Sequence, residues 1–460
     1  MTSESPLTQA LKPHLPRAVH ALTPHARQTA PYPSVLPAGV HGPVPVPPAN
    51  AATSSHALTL RPSPPSIRVV LYSHDAQGLG HLRRNLALAH RLAADLPALT
   101  GASVTGLLVA GVSPAPGFSL PAGFDWLVLP GFTKSSGGYR PRGLRGTPDS
   151  LATLRSGLVA SALQRFAPHL VIVDRHIYGV RKELRAPLKH LRATSPRTRI
   201  VLGLREVLDA PEVAAAEWRN LDTPANLREL IDEVWVYGDP AVHDPIATGE
   251  IPMSLRDRAV FTGYLANGRS QLDHGRRVPS DPFILTTVGG GSDGFELLRS
   301  AARMTPPPGY RHVLVTGPQL DEAGFDAVHT AAGPATEVHR SLPGLSRWIE
   351  RASAVVAMGG YNTSCEILAT GTPALIVPRE QPRLEQLIRA RALEQVKAVD
   401  VMRTNELSPK KLSVWAAGAV TRRMPRTHLD TDGLSVAARR AAALLRTQLT
   451  SPSSFQEIAS

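Results

Sequence analysis

Two short glycine-rich runs, one in each half of the chain, constrain the fold more than any other feature. Gly78-Leu79-Gly80-His81 follows the apolar run Ile67-Arg68-Val69-Val70-Leu71, and Gly289-Gly290-Gly291-Ser292-Asp293-Gly294 follows Ile284-Leu285-Thr286-Thr287-Val288. Each then passes into a helix-like stretch. A β-branched strand that ends in a glycine turn and opens a helix is the first unit of a parallel α/β domain. Such a turn lets an anion approach the free N–H groups of the helix N-terminus. One unit per half predicts two α/β domains with a cleft between them and a phosphorylated substrate in the cleft.

The rest of the chain fits that division. Residues 1–66 are strewn with Pro, Ala, Ser and His without apolar periodicity, so they are expected to form a disordered tail. A first Rossmann-like domain is expected over 67–265, with strands at Arg68–Ser73, Val104–Ala110, Trp126–Leu129, Leu170–Asp174, Arg199–Leu204 and Glu233–Tyr237. Helices are expected between them at His81–Ala94, Asp149–Ala167, Tyr178–Thr194 and Pro224–Asp232. A polar linker over 266–281 leads to a second Rossmann-like domain at 282–432. A terminal helix and tail occupy 433–460, and Ser435–Leu449 has the amphipathic pattern to pack back on the first domain.

The formal net charge of +13 points to anionic partners, yet only seven of the fifty basic residues are Lys, which fits the codon bias of a GC-rich genome as well as a binding surface. The sequence has no RNP motif, zinc-ligand cluster or Lys/Arg block, so nucleic acid is not expected as a partner. Cys365 is the only cysteine, which excludes an intramolecular disulfide and a cysteine-based metal site. No apolar run reaches the ~18–20 residues of a membrane span, and residues 1–66 lack the charged start and apolar stretch of a signal peptide, so none is expected. A cytoplasmic location is expected, with peripheral contact at the inner face of the membrane left open.

The motifs can be read from their residues alone. Arg83 stands where a dinucleotide fingerprint needs its third Gly, so nicotinamide chemistry is disfavoured. His81 falls at a helix start on the carboxyl edge of a strand, where an imidazole serves either as a general base or as a packed helix residue. The 289–294 run lacks the Gly-Lys-Ser/Thr ending of a P-loop. Its glycines supply either backbone N–H groups and the Ser292 hydroxyl to phosphate, or simply a tight turn. In Met358-Gly359-Gly360-Tyr361-Asn362-Thr363-Ser364-Cys365-Glu366, a strand ends and a helix begins at Asn362 or Thr363. Thr363-x-x-Glu366 there reads either as a capping box or as a carboxylate placed for ribose hydroxyls. Asp174-Arg175-His176 and Arg205-Glu206 lie at strand ends facing the cleft. Asp174 could orient His81 or bind acceptor, Arg205 could neutralise an anionic acceptor, and a salt-bridged rim is the alternative for both.

Taken together, the glycine turn, Thr-x-x-Glu, Gly-x-Pro, the strand ending at Pro378 and the Glu385-Gln386 pair resemble the donor site of GT-B glycosyltransferases. The likeness is to the family-28 branch that includes the peptidoglycan UDP-N-acetylglucosamine transferase acting on undecaprenyl-linked muramoyl-pentapeptide. That family also carries a Gly-x-Gly-His-type first loop and a Gly-Gly-Gly-Ser-x-Gly second loop, and the order matches over roughly 67–400. Arg83-Arg84 after His81, together with Ser73-His74-Asp75, is closer to a bacterial branch of predicted glycosyltransferases, and the family often has Gln where Glu385 stands.

The resemblance implies a GT-B fold and hexosyl (or N-acetylhexosaminyl) transfer from a nucleotide-sugar, UDP-linked, to a hydroxyl acceptor. The acceptor would be a lipid-linked or soluble saccharide of the cell envelope. The route implied is inverting and metal-independent, with no cofactor beyond the co-substrate. His81 would deprotonate the acceptor, with Asp174 as its partner. Gly289, Gly290, Gly291, Ser292 and Gly294, with Gly359, Gly360, Asn362 and Thr363, would hold the donor diphosphate. Glu366 would bind the ribose, and Glu385 with Gln386 the donor sugar. Gly80, Arg83 and Arg205 fall on the acceptor side. A nucleotide-sugar 2-epimerase of the same fold and a non-catalytic nucleotide-sugar-binding subunit are the alternatives.

Overall fold

The computed structural model describes residues 66–449 apart from 75–79, 114–117, 136–137, 270–276 and 292. Residues 1–65 of the expected tail, Asp75, Gly78, Ser292, residues 270–276 of the expected linker and residues 450–460 lie outside the described residues, and Ser66 already belongs to the first strand. Alternation along β1 (Ser66–Tyr72) sets the first sheet: Ile67, Val69 and Leu71 enter one core while Val70 and Tyr72 enter another. A strand buried on both faces belongs in the middle of a parallel sheet.

In chain order there follow α1 (Gly80–Thr100), β2 (Ser103–Ala110), β3 (Phe124–Val128), β4 (Phe132–Ser135), β5 (Gly138–Pro141), α2 (Pro148–Phe166) and β6 (Leu170–Asp174). Then come α3 (Arg185–Thr194), β7 (Arg199–Arg205), α4 (Pro211–Arg219), α5 (Pro224–Leu230), β8 (Glu233–Tyr237) and β9 (Ala259–Phe261). Seven strands pair in parallel in the order β3-β2-β1-β6-β7-β8-β9, and β4 with β5 forms a separate antiparallel hairpin.

The chain runs outward from β1 through β2 and β3, then resumes on the other side at β6. That reversal is a topological switch point, and open α/β sheets bind their ligands at the carboxyl ends of the strands there. Tyr72 is in register with Val173, so the turn after β1 and the end of β6 are side by side. His81 follows the first, and Asp174 closes the second.

The second half repeats the plan with β10 (Phe283–Thr287), α6 (Phe295–Ala302), β11 (Arg311–Val315), α7 (Glu322–Ala331), β12 (Thr336–His339), α8 (Leu345–Arg351) and β13 (Ala354–Ala357). It continues through α9 (Tyr361–Leu368), β14 (Ala374–Ile376), α10 (Glu385–Gln395), β15 (Asp400–Val401), α11 (Pro409–Ala419) and α12 (Gly433–Leu449). The parallel order β12-β11-β10-β13-β14-β15 puts its switch point between β10 and β13, where Thr287 is in register with Ala357. The two glycine runs of this half, at 289–291 and 359–360, sit side by side at that point. α12 packs against α1, as the amphipathic pattern of Ser435–Leu449 predicts. A single apolar core runs from Leu71 and Leu88 through Tyr264 and Tyr361 to Leu285 and Ala441.

Three local expectations are corrected. The helix expected over Tyr178–Thr194 begins only at Arg185. Gly179 (φ 66°) and a short 3-10 turn over Val180–Lys182 precede it, because Glu183 turns inward to meet Arg155 and Tyr72 in a buried cluster. The β4–β5 hairpin and α4 fall in segments where the sequence pattern named no element; Pro211 at the first position of α4 is the available helix-start cue. Finally, α9 begins at Tyr361 with Gly360 as its N-cap and no side-chain cap bond. Thr363-x-x-Glu366 is therefore not a capping box: both residues are inside the helix, whose C-cap is Ala369.

Candidate active site

At the first switch point, His81 lies in the opening turn of α1. Its Nδ1 is 2.9 Å from Asp174 Oδ2, and Asp174 is buried at the end of β6. Arg84, one turn further along α1 and also buried, donates to the same carboxylate through Nε (3.2 Å to Oδ1) and Nη2 (2.7 Å to Oδ2). Burial alone would raise the Asp174 pKa, but the charges of Arg84 and His81 and the hydrogen bonds from both hold it well below the usual carboxylate range. Burial is also the main effect on His81, and it lowers the imidazole pKa. Asp174 opposes that shift, while Arg84 and Arg205 reinforce it.

The neutral ring and the anionic carboxylate together fix the tautomer. Nδ1 faces both Asp174 Oδ2 at 2.9 Å and Arg84 Nη2 at 3.2 Å; the Arg84 guanidinium is already engaged by Asp174 and the carboxylate contact is the shorter, which favours the proton on Nδ1, donated to Asp174. Nε2 then carries the free lone pair, and the His81 side chain retains 22% exposure. This is the geometry of an oriented general base.

The backbone around this pair has a strained element. Arg175, directly after Asp174, takes φ 70°, a left-handed conformation uncommon for a non-glycine residue. Its N–H is tied to Gly203 O at 2.8 Å and its guanidinium donates to Glu217 at 2.6 Å. The rings of His74 and His176 lie 4.5 Å apart, and His74 stands 5.7 Å from His81. Burial pushes the His74 pKa down to about 3, with the neighbouring His81 adding to the effect.

At the second switch point, Gly289 (φ 71°) and Gly291 (φ 96°) need glycine, and a Cβ on Gly291 would come within 2.4 Å of Thr316 O. A Cβ on Gly290 would stand 2.9 Å from Gln319 Oε1, and packing alone accounts for Gly294, whose Cβ would meet Val288 at 2.5 Å. Gly359 (φ 81°) turns the chain out of β13. Gly360 is different. Its backbone is ordinary extended chain (φ −60°, ψ 142°), and the space where a side chain would project is open. Neither strain nor packing calls for glycine at this helix start, and the space in front of α9 is open.

Several expected residues meet across the two sheets. Asn362 donates from Nδ2 to Gly80 O at 2.9 Å and accepts from Arg269 at 3.1 Å. Arg83 forms an ion pair with Glu366, so this residue reaches the helix that carries the expected ribose ligand. Thr363 Oγ1 lies 4.0 Å from where a Gly289 Cβ would be, which sets the loop beside α9. At the start of α10, Glu385 pairs with Arg379, whose N–H donates to Gln386 Oε1 at 3.1 Å and whose guanidinium reaches Asp293 at 3.2 Å. Two buried carboxylate oxygens, Glu366 Oε2 and Glu385 Oε2, have no hydrogen-bond partner. A buried acceptor left unpaired is costly, and these two stand on the residues assigned to ribose and sugar hydroxyls.

Other contacts carry no local sequence cue. Arg389 of α10 makes a buried bidentate ion pair with Glu206, at 2.6 Å and 3.1 Å, and donates to Gly359 O at 3.3 Å. The guanidiniums of Arg84 and Arg389 both lie over the Tyr361 ring, at 5.4 Å and 5.6 Å. The Tyr361 hydroxyl donates to Tyr237 O and accepts from Leu265 N–H.

Residues 285–417 match the family model described as the glycosyltransferase family 28 C-terminal domain. No curated protein matches the chain. Among solved structures, the calicheamicin glycosyltransferase CalG4 superposes with a TM-score of 0.53 at 18% identity, covering 82% of this chain and 98% of its own. MurG of Acinetobacter baumannii gives 0.50 at 14% identity, with coverage of 83% and 99%. A putative UDP-N-acetylglucosamine 2-epimerase of Listeria monocytogenes gives 0.53 at 13% identity, with coverage of 83% and 96%. At such identities the superpositions establish the fold. Residues 285–417 thus match the glycosyltransferase family 28 C-terminal domain, in a chain with the GT-B fold.

Proposed function

We propose that this chain is a glycosyltransferase that moves a hexosyl group from a nucleotide-sugar, UDP-linked, to an acceptor hydroxyl with inversion and without a metal. One observation carries the reading. The His81–Asp174 pair stands at the switch point of the first sheet, while Arg83 and Gly80 from the same helix start touch Glu366 and Asn362 on α9 at the switch point of the second. A base and a donor helix brought to one place are what transfer requires.

The chemistry follows from the geometry. The acceptor hydroxyl approaches His81 Nε2, which takes its proton as the oxygen attacks the anomeric carbon. Asp174 holds Nδ1–H and stabilises the imidazolium that forms, and Arg84 keeps Asp174 ionised. The bond to the nucleoside diphosphate breaks, and its charge falls on the N-terminal N–H groups of α9 and the 289–291 loop, preorganised dipoles of the kind that stabilise leaving groups. Glu366 Oε2 accepts from the ribose, and Glu385 Oε2 from the donor sugar.

Thermal stabilisation by a panel of UDP-, dTDP-, GDP- and ADP-sugars tests the reading. A UDP-sugar at about 100 times its dissociation constant is expected to add roughly 2.7 kcal/mol, and transfer is then read as acceptor-dependent nucleotide release. Isomerisation of the donor without any acceptor would favour the epimerase, and binding without turnover the sensor subunit.

Glu366 gives a second test. Glu366→Gln keeps the size of the side chain but removes the charge that strengthens bonds to hydroxyls. Calorimetry is expected to show donor binding weakened by roughly 1.5–3 kcal/mol. Because Glu366 caps nothing in α9, and its partner Arg83 is one-third exposed and can be solvated when the charge is removed, the melting temperature should move little. Intact donor affinity would remove Glu366 from the donor site.

A further inference from the structure

Among the described residues of the cleft, most arginines meet a carboxylate; Arg269 instead donates to Leu265 O and Asn362 Oδ1, and Arg205 meets neither kind of partner. Arg84 is matched by Asp174, Arg175 by Glu217, Arg389 by Glu206, Arg379 by Glu385 and Asp293, Arg383 by Asp209 and Glu217, and Arg83 by Glu366. Arg205, the last residue of β7, has no ion pair among the described residues, and its buried Nε has no hydrogen-bond partner. β7 adjoins β6 in the sheet, so Arg205 stands beside the strand end that carries Asp174. Burial lowers its pKa to about 9, and the nearby charges of Arg389, Arg84 and Arg175 push the same way, while Glu385 opposes them. Arg205 is half-buried, and a cation so placed among other cations, with one buried N–H unpaired and no ion-pair partner, is unfavourable in the empty protein.

We infer that Arg205 is the binding residue for an anionic group, a phosphate or carboxylate, carried by the acceptor close to the hydroxyl that reacts. The inference rests on the transferase reading above. Arg205 belongs to the sheet that carries His81 and is near enough to influence its protonation, whereas the loops assigned to the donor diphosphate belong to the other sheet. A group beside the base meets the acceptor. A guanidinium fork suits the paired oxygens of a phosphate or carboxylate, and a neutral acceptor would close over Arg205 with its charge still unmatched. The acceptor class this selects is the hydroxy acids, the sugar phosphates and alcohols adjoining a phosphodiester, the last including a lipid headgroup.

The test uses the full chain and three variants, Arg205→Gln, Arg205→Lys and Arg165→Gln, the last a control at the exposed end of α2. Each is saturated with whichever of UDP, dTDP, GDP or ADP binds the wild type and titrated with inorganic phosphate and with acetate. Wild type and Arg165→Gln are expected to bind at least one of the two anions on top of the nucleotide. Arg205→Gln should lose that affinity at least tenfold, Arg205→Lys less, and the affinity for the nucleotide should change by less than about twofold. Because Gln removes an unmatched charge, its melting temperature should equal or exceed that of the wild type, so lost binding would not reflect a lost fold.

Three outcomes would overturn the assignment: no anion binding by the nucleotide-saturated wild type, equal anion binding by Arg205→Gln, or a tenfold loss of nucleotide affinity in that variant, which would give Arg205 to the donor diphosphate. Failure of every nucleotide to bind the wild type would count against the transferase reading instead. In that case the anion titration on the nucleotide-free protein still decides whether Arg205 is an anion site. If the assignment holds, transfer to glycerol 1-phosphate and glyceric acid, compared with glycerol, separates the phosphate source from the carboxylate one.

Discussion

Replacing His81 with alanine is expected to lower turnover by roughly 10²–10⁴-fold, the usual share of a general base, while shifting donor affinity by less than about 1 kcal/mol. The asymmetry follows from placement. His81 bonds to Asp174 within the first sheet, whereas the unpaired oxygens of Glu366 and Glu385 and the glycine turns belong to the second. Loss of the imidazole therefore removes proton transfer and leaves the donor contacts in place.

The pH profile carries the sign. Only the neutral ring accepts a proton, so kcat/KM should rise with pH to a plateau, and its acid limb should lie below the ordinary histidine value of about 6.5 because burial depresses this pKa. Asp174→Asn removes the charge that favours the protonated ring, so the limb should move further down while the plateau falls. An Ala variant that turns over normally on the true acceptor would take His81 out of the mechanism and leave Asp174 as the next group to test.

The sequence discloses those parts of the site whose geometry is local. The glycine turns are legible because a turn between strand and helix is written in consecutive residues, and the strand-end positions of His81, Asp174 and Arg205 follow from the same pattern. The carboxylate of Glu366 is legible as a candidate but its role is ambiguous, because Thr-x-x-Glu fits a helix interior as well as a cap. The structure decides for the interior: Gly359 turns the chain so early that Gly360 becomes the N-cap. Partnerships across the cleft are not legible at all. Arg83 and Glu366 are 283 positions apart, and Glu206 and Arg389 are 183; no periodicity in either segment marks the other. Glu206 reads as a rim residue from its neighbours alone, and Arg389 reads as one more polar position in a helix of weak amphipathic pattern.

That unannounced pair should have the largest effect on stability. Arg389 and Glu206 are fully buried, and the pair joins α10 of the second sheet to the segment just after β7 of the first. Arg389→Met is expected to destabilise the protein by about 3–5 kcal/mol, because it leaves the Glu206 carboxylate buried without a counter-charge. Glu206→Gln should cost less, since an amide can still accept from the guanidinium and bears no charge, although Arg389 then keeps its charge without an ion-pair partner.

The double variant Glu206→Met/Arg389→Met is the decisive member. Replacing both charges with apolar groups of similar length removes the desolvation of each, so denaturant unfolding should show it markedly more stable than Arg389→Met alone. If the double variant is as unstable as the sum of its parts, the pair is not coupled and the cost belongs to Tyr361, whose ring packs under the Arg389 guanidinium. If instead the double variant is stable but binds donor weakly, the ion pair acts in function. Arg389 also donates to Gly359 O, so it fixes the turn ahead of α9 while Glu206 fixes Arg389, and the first sheet would then set the position of the donor helix through a single buried contact.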